Sequence, residues 1–402
     1  MLNYEKIKND FPLLSKQIKG KPIVYFDSAC MSLKPKQVVE VMNEYYFEYP
    51  ACAGRSSHRL GETATKKVKE ARQIIARFIN ADEREIIFIR NTTEGINLLA
   101  NSFELKKGDV VLTTNKEHNS NLIPWQILVK KKGIHHEMVG SNDDGTFNLE
   151  KYRELVKGAK LVSMVHTSNL DGTTTPAEEI IKIAHENGAL VFLDVAQSIP
   201  HRKIDVKYLD VDFLAFSGHK MLGPTGTGVF YGKYSLLEKL EPFMVGGNTV
   251  EYSTYSDHKM LNAPEKFEAG LQDYAGIIGL GEAVKYLENV GFENIEKQEL
   301  LLNRYITEEI TKLPRIKIIG SAEPALRSGI VNFYVEGVDM HQIAVMMDEM
   351  SNVMIRAGQH CVHSWFNDRK IKNSARVSLY FYNTIEEAEK FVDSLNKIMK
   401  II

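Results

Sequence analysis

The two residues richest in chemistry are Asp194 and Lys220. Asp194 ends the apolar run Ala189–Asp194 (ALVFLD), and Lys220 closes Ser217-Gly218-His219-Lys220, directly after the apolar FLAF. Such runs read as buried strands, and ligands of α/β sheets collect at strand ends. A lysine amine there can condense with an aldehyde to an imine. A carboxylate there can keep a ring nitrogen protonated. Pyridoxal phosphate (PLP) needs both, so that its ring can accept electrons. Either residue alone also fits a surface lysine or a capping aspartate; the joint placement after two buried strands points to PLP.

Three further segments carry suitable side chains. Asn91-Thr92-Thr93-Glu94-Gly95 lies between the strand Glu85–Arg90 and a helix at Glu94–Ser102. Thr92 or Thr93 there caps the helix and leaves backbone N–H groups for an anion. Gly223–Gly228 (GPTGTG) lacks the GK[ST] of a P-loop, and no GxGxxG occurs, which disfavours ATP and dinucleotides. His118, in Glu117–Asn121, follows the strand Asp109–Thr113; its imidazole can stack on an aromatic ring, although taken by itself a satisfied loop histidine is the commoner reading. Arg356-Ala357-Gly358-Gln359-His360-Cys361 sets a thiol among cationic neighbours, the usual setting of a nucleophilic thiolate. Cys30 and Cys52 lack such a setting and read as structural. Arg376 offers a fork for a substrate carboxylate.

The elements that must position these residues alternate. After Asp109–Thr113 come the strand Leu161–His166, a helix Ala177–Asn187, and the strands Ala189–Asp194, Phe213–Ser217 and Val229–Tyr231. Alternation of this kind predicts an α/β domain with a mostly parallel, mixed sheet between helices. Past Gly279 the pattern changes to a long helical stretch, Leu280–Lys312, with a break near Gly291. Strands follow at 317–319, 329–334, 353–355 and 375–378, with helices at Met340–Met350 and Ile385–Met399. The expected organisation is a segment 1–20 packing on the smaller unit, a large domain 21–279, and an α+β domain 280–402 carrying the Cys361 loop.

With 402 residues, 50 basic and 52 acidic, the chain shows no basic field, so nucleic-acid binding is not expected. The N-terminus lacks a signal-like apolar core, and no run is long enough to span a membrane. A cytoplasmic protein without membrane contact is expected. Three cysteines and no CxxC pair argue against disulfides and zinc, so no metal is expected.

Taken in order, the motifs RSSH (Arg55–His58), NTTEGIN, EHNSNLIPWQ, HTSNLDGT (His166–Thr173), DVAQSIPH (Asp194–His201), FSGHKMLGPTGTGVFYG, FEAG and RAGQHC resemble cysteine desulfurases of the SufS-like group, within the class V aminotransferase family of fold type I PLP enzymes. The resemblance runs from Tyr25 to Thr384. It implies that Lys220 carries PLP and Asp194 pairs with the pyridine nitrogen. Gln197 would contact the phenolic oxygen, and His118 would stack on the ring. Thr92, Thr93, Ser217 and His219 would hold the phosphate. Asn169 and Arg376, with Arg356 and His58, would bind substrate. Cys361 would take sulfur from L-cysteine as a persulfide, releasing alanine, and an acceptor protein would collect it for iron–sulfur or thio-cofactor synthesis. A homodimer is implied. Selenocysteine lyase, aminotransferase or epimerase activity, or an inactive scaffold in sulfur mobilisation, remain as alternatives. This sequence departs from the family pattern at Leu271 after FEAG (usually Thr), at Phe26–Cys30, at Val362–Ser364 and at Asp171.

Overall fold

Seven strands, six of them largely buried, form one mixed sheet in the computed structural model, which describes residues 2–402. In chain order these are β1 (Ile86–Ile89), β2 (Val110–Thr114), β3 (His135–Val139), β4 (Ala159–Val165), β5 (Leu190–Asp194), β6 (Phe213–Ser217) and β7 (Gly228–Gly232). Their spatial order is β1-β7-β6-β5-β4-β2-β3. Strands β3, β2, β4, β5 and β6 are mutually parallel, and β7 is antiparallel to both β6 and β1. The C-terminal ends of β1, β2, β4, β5 and β6 therefore open on one edge. The edge strand β3 escapes the reading of apolar runs because its sequence, HHEMV, is mostly exposed.

Both faces of the sheet are covered. Val162, Met164, Val191, Leu193, Leu214 and Phe216 join a core with the helices Arg59–Phe78, Ala177–Glu186 and Tyr274–Val290. The alternate residues Val111, Leu161, Phe192, Phe213 and Ala215 pack with Leu98, Leu99, Trp125 and Leu128. Burial of each large apolar side chain contributes about 1.5–3 kcal/mol, so the strand ends are firmly held. Helix Thr92–Ser102 lies close against β6 because Gly95 has no side chain; a Cβ there would sit 2.8 Å from that of Ala215.

The smaller unit is an antiparallel sheet of β8 (Ile316–Ile319), β9 (Ile330–Val335), β10 (Arg356–Gly358) and β11 (Ser374–Ser378), ordered β8-β9-β11-β10. Helices Phe292–Ile310, Met340–Ser351 and Ile385–Met399 supply its core. The long helical stretch breaks at Gly291, whose φ is 83°, and its first half, Tyr274–Val290, packs on the helices of the large sheet. Near the N-terminus, Phe11 lies against Tyr286, Phe381 and Tyr382. Val24–Tyr25 pairs with Val353–Met354, and Asp27 bridges to Ser378. These pairings carry the turn after Asp27 to the edge where the large strands end.

Candidate active site

A cavity of about 240 Å³ lies at that edge. Its wall includes Lys220, Cys361, His118, Asp194, Gln197, Thr92, Thr93, Ser217, His219, Asn169, Arg376 and Arg356. Of the expected site residues, only His58 stands apart. It precedes helix Arg59–Phe78, where its Nδ1 accepts the Gly61 N–H at 3.4 Å, so within this chain it is a helix cap and not a cavity residue.

Asp194 ends β5 in register with Val165 and Ala215, and it accepts the Ala196 N–H at 3.0 Å. Burial pushes its pKa up, opposed by the charge of Lys220 and that N–H. Burial pushes Lys220 the other way, opposed by Asp194. A buried carboxylate and a buried amine thus share one cavity, and each favours charge on the other. A protonated ring nitrogen beside Asp194 would add a second cation favouring its charged form.

At the other end, the N-terminus of helix Thr92–Ser102 meets β6. Ser217 Oγ lies 2.9 Å from Thr92 N and 2.8 Å from Thr92 Oγ1. Thr93 Oγ1 lies 2.7 Å from Ser120 Oγ. Hydroxyls, helix N–H groups and the positive end of the helix dipole make an anion cup. His219 adjoins it, its pKa pushed down to about 4 by burial and then by Lys220 and Lys34.

His118 Nδ1 accepts the Ser120 N–H at 3.1 Å. The neutral ring therefore carries its proton on Nε2. Burial, then Lys220 and Arg376, push its pKa down to about 3, so the imidazole stays uncharged and suited to stacking. Gln197 Nε2 donates to the Ala29 carbonyl at 2.6 Å, which fixes its amide in the wall.

The remaining wall comes from the smaller unit. Arg376 Nη1 donates to the Asn169 carbonyl at 2.9 Å, its Nη2 lies 3.6 Å from Asp27 Oδ1, and its buried Nε has no partner. Arg356 Nη1 donates to Cys30 Sγ at 3.0 Å. His360 and Cys361 both take left-handed backbone, with φ of 49° and 59°. The turn is held by Asn119 N–H on the Cys361 carbonyl at 2.7 Å and Asn169 Nδ2 on the His360 carbonyl at 2.7 Å. His360 Nε2 also lies 2.9 Å from Ser374 Oγ.

Reasoning from sequence missed Cys30, Asn91, Ser120, Thr167, Ala196 and His360 as wall residues. All of these but Cys30 lie inside motifs already singled out. Cys30, read as structural, is corrected: its distant partner Arg356 brings it into the wall. Cys52 is outside this wall. Asp171 is buried and ion-paired with Lys116, which also bonds the Gly145 carbonyl. Leu271 is exposed. The described residues hold no cluster suited to a metal ion and no helix long and apolar enough to cross a membrane.

Residues 24–391 match the family Aminotransferase class-V. A Pyrococcus abyssi protein named "Probable cysteine desulfurase" is 41% identical over 98% of both chains. The Haloferax volcanii "Cysteine desulfurase" is 37% identical, over 98% of this chain and 96% of its own. The apo structure of a cysteine desulfurase from Thermococcus onnurineus NA1 superposes with a TM-score of 0.95 at 38% identity, covering 100% of this chain and 99% of its own. The E. coli cysteine desulfurase CsdA, solved as its S-sulfonic acid, gives 0.91 at 29% identity, covering 100% of both. The motif resemblance and the fold type I architecture are thus both borne out, and the chain belongs to the aminotransferase class-V family.

Proposed function

We propose that this chain is a PLP-dependent cysteine desulfurase, converting L-cysteine to L-alanine and taking the sulfur onto Cys361. The observation that carries this reading is the meeting of Lys220, Asp194, His118 and Cys361 in one cavity. Its donor set fits PLP. The cup of Thr92, Thr93, Ser217 and His219 suits a phosphate, the raised Asp194 needs a cation, and the neutral His118 offers a flat face. When bound, PLP supplies a conjugated, electron-accepting ring that activates the bonds at the substrate's Cα and Cβ.

The chain's own residues do the rest. Lys220, its pKa lowered by burial, anchors the cofactor and then moves the Cα proton as a general base and acid. Asp194 would hold the proton of the ring nitrogen, and Gln197 would lie by the phenolic oxygen. The free Nε of Arg376 and the unpartnered Oδ1 of Asn169 await the substrate's carboxylate and amine, and Arg356 adds positive charge beside them. Cys361 Sγ attacks the substrate sulfur: an S–S bond forms, the substrate C–S bond breaks, and Cys361 keeps the sulfur as a persulfide.

The domain division we propose is 1–20, 21–279 and 280–402, with helix Tyr274–Val290 spanning the last boundary. We propose a homodimer. The exposed apolar residues Phe243, Val245, Tyr252 and Tyr255 of one segment, with Leu271 following Gly270, whose N–H bonds the Gly247 carbonyl, support it, because large apolar side chains concentrated at one surface mark an interface. An acceptor protein would collect the sulfur for iron–sulfur or thio-cofactor synthesis. The cytoplasm, where thiols stay reduced, suits the three free cysteines. Incubation with L-cysteine and a reductant tests the reading. Equimolar alanine and sulfide are expected; pyruvate or another keto acid in place of alanine would overturn it.

A further inference from the structure

The cavity contains a second thiol that the proposed reaction does not use. Cys30 sits on the turn after Asp27, where its N–H and that of Met31 both bond the Asp27 carbonyl. The bridge of Asp27 to Ser378 fixes this turn beside β11. The Arg356 guanidinium donates to Cys30 Sγ at 3.0 Å and also lies 3.8 Å from Asp27 Oδ2. The sulfur is thereby held in the wall of the same cavity of about 240 Å³ as Cys361, and both are free thiols. Arg376 and Asn169, both buried, line this space, and each keeps a buried polar atom without a partner.

We infer that Cys30 is a second sulfur-carrying residue, receiving sulfur from the Cys361 persulfide inside the cavity. This rests on the desulfurase reading above. The Cys30 thiolate attacks the outer sulfur of the Cys361 persulfide. A new S–S bond forms at Cys30, the S–S bond at Cys361 breaks, and Cys361 leaves as a thiolate with the bonding pair. The outer sulfur keeps its proton, and neither oxidant nor reductant is consumed. Confinement of both groups in one cavity favours the exchange over reaction with a dilute external thiol. Cys361 is thereby freed to take a second sulfur before any acceptor arrives.

The test uses the holoenzyme with excess L-cysteine and no reductant, trapped by alkylation, digested and read by mass spectrometry. One added sulfur atom is expected on the Cys361 peptide first and on the Cys30 peptide later. Cys361→Ala should leave Cys30 unlabelled. Cys30→Ala, and Cys30→Ser should the alanine variant fail to fold, should lower stored sulfur per chain about twofold. Sulfur on Cys361 alone at saturation overturns the inference and leaves the desulfurase reading standing. Equal labelling of Cys30 in Cys361→Ala also overturns it, because the sulfur would then bypass Cys361. A chain that forms no alanine and carries sulfur on neither cysteine overturns both.

Discussion

The two walls of the cavity are held by different forces. Asp194 and Ser217 belong to strands buried over nearly their whole length, and those strands are locked into ladders on both sides. Cys361 stands in a turn of two left-handed residues, kept in place by a few hydrogen bonds from Asn119, Asn169 and Ser374. Left-handed backbone at such residues costs about 1 kcal/mol or more each. A ladder opens only with the sheet, whereas a turn held by side chains can open by itself. The rigid wall suits a cofactor that must not shift, and the tense wall suits a sulfur that must be handed on.

The largest effects should separate the walls. Lys220→Ala removes both the anchor and the proton carrier. Cofactor absorbance from the lysine adduct should vanish, and alanine formation should fall by roughly 10³-fold or more. Cys361→Ala leaves the rigid wall whole, so the absorbance should persist while alanine and sulfide formation drop to background. Absorbance spectra and an alanine assay on both variants decide this. Loss of cofactor from Cys361→Ala would mean that the turn also shapes the cofactor pocket, and the contrast would fail.

A second break concerns how the walls are joined. Asp171 lies between them: it pairs with Lys116, two residues before His118, and it follows Asn169 by two. Its loop also meets the smaller unit, where the Ser328 N–H bonds the Gly172 carbonyl at 2.9 Å and Asn332 Nδ2 bonds the Leu170 carbonyl at 2.7 Å. Asp171→Leu strands a buried ammonium and removes the carboxylate that favours the charge of Arg327. The expected loss in chemical denaturation is about 3–5 kcal/mol. Adding Lys116→Met should restore part of it, the remainder reflecting Arg327. A single-variant loss below about 1 kcal/mol would show the pair to be no stronger than a surface one.

The same contrast explains what could be read from sequence. Asp194 and Lys220 were legible because each follows a run of apolar residues that only a covered sheet accommodates. The cup residues Thr92 and Thr93 were legible as a helix start. Strand β3 was not, because an edge strand has no need of apolar residues on both faces. Cys30 was misread because its setting comes from Arg356, which no local pattern brings near. Asp171 stood out only as a departure, since its meaning depends on Lys116 and on the smaller unit. Local pattern reveals what a strand or helix end does to its own residues; contacts between distant loops carry no such signature.

A smaller effect tests the electrical state of the rigid wall. The His118 pKa falls from 6.5 to about 3 in the folded chain. Between those values the unfolded chain binds a proton at this residue and the folded chain does not. Stability contributed here is therefore full above about pH 6.5 and is lost as the pH falls towards 3. His118→Phe removes that dependence. Relative to the variant, the wild type should lose up to about 1.4 kcal/mol per pH unit across the window, seen by denaturation at several pH values. Parallel curves would mean that the imidazole titrates in the folded chain as it does in water, so that burial does not hold it neutral below about pH 6.5.

The smallest expected effect lies outside both walls. His58 serves here to cap helix Arg59–Phe78 through the Gly61 N–H. His58→Ala should cost roughly 0.5–1 kcal/mol of stability, as loss of one cap does, with KM for L-cysteine unchanged. Thermal melting and steady-state kinetics measure the two effects independently. A cap acts on the helix and so on stability alone; a substrate contact acts on KM alone. A higher KM with an unaltered melting temperature would therefore put His58 in a cavity after all. Since it is absent from the wall within its own chain, that cavity would be the one in a second subunit, and each site would then have a third wall supplied across the dimer.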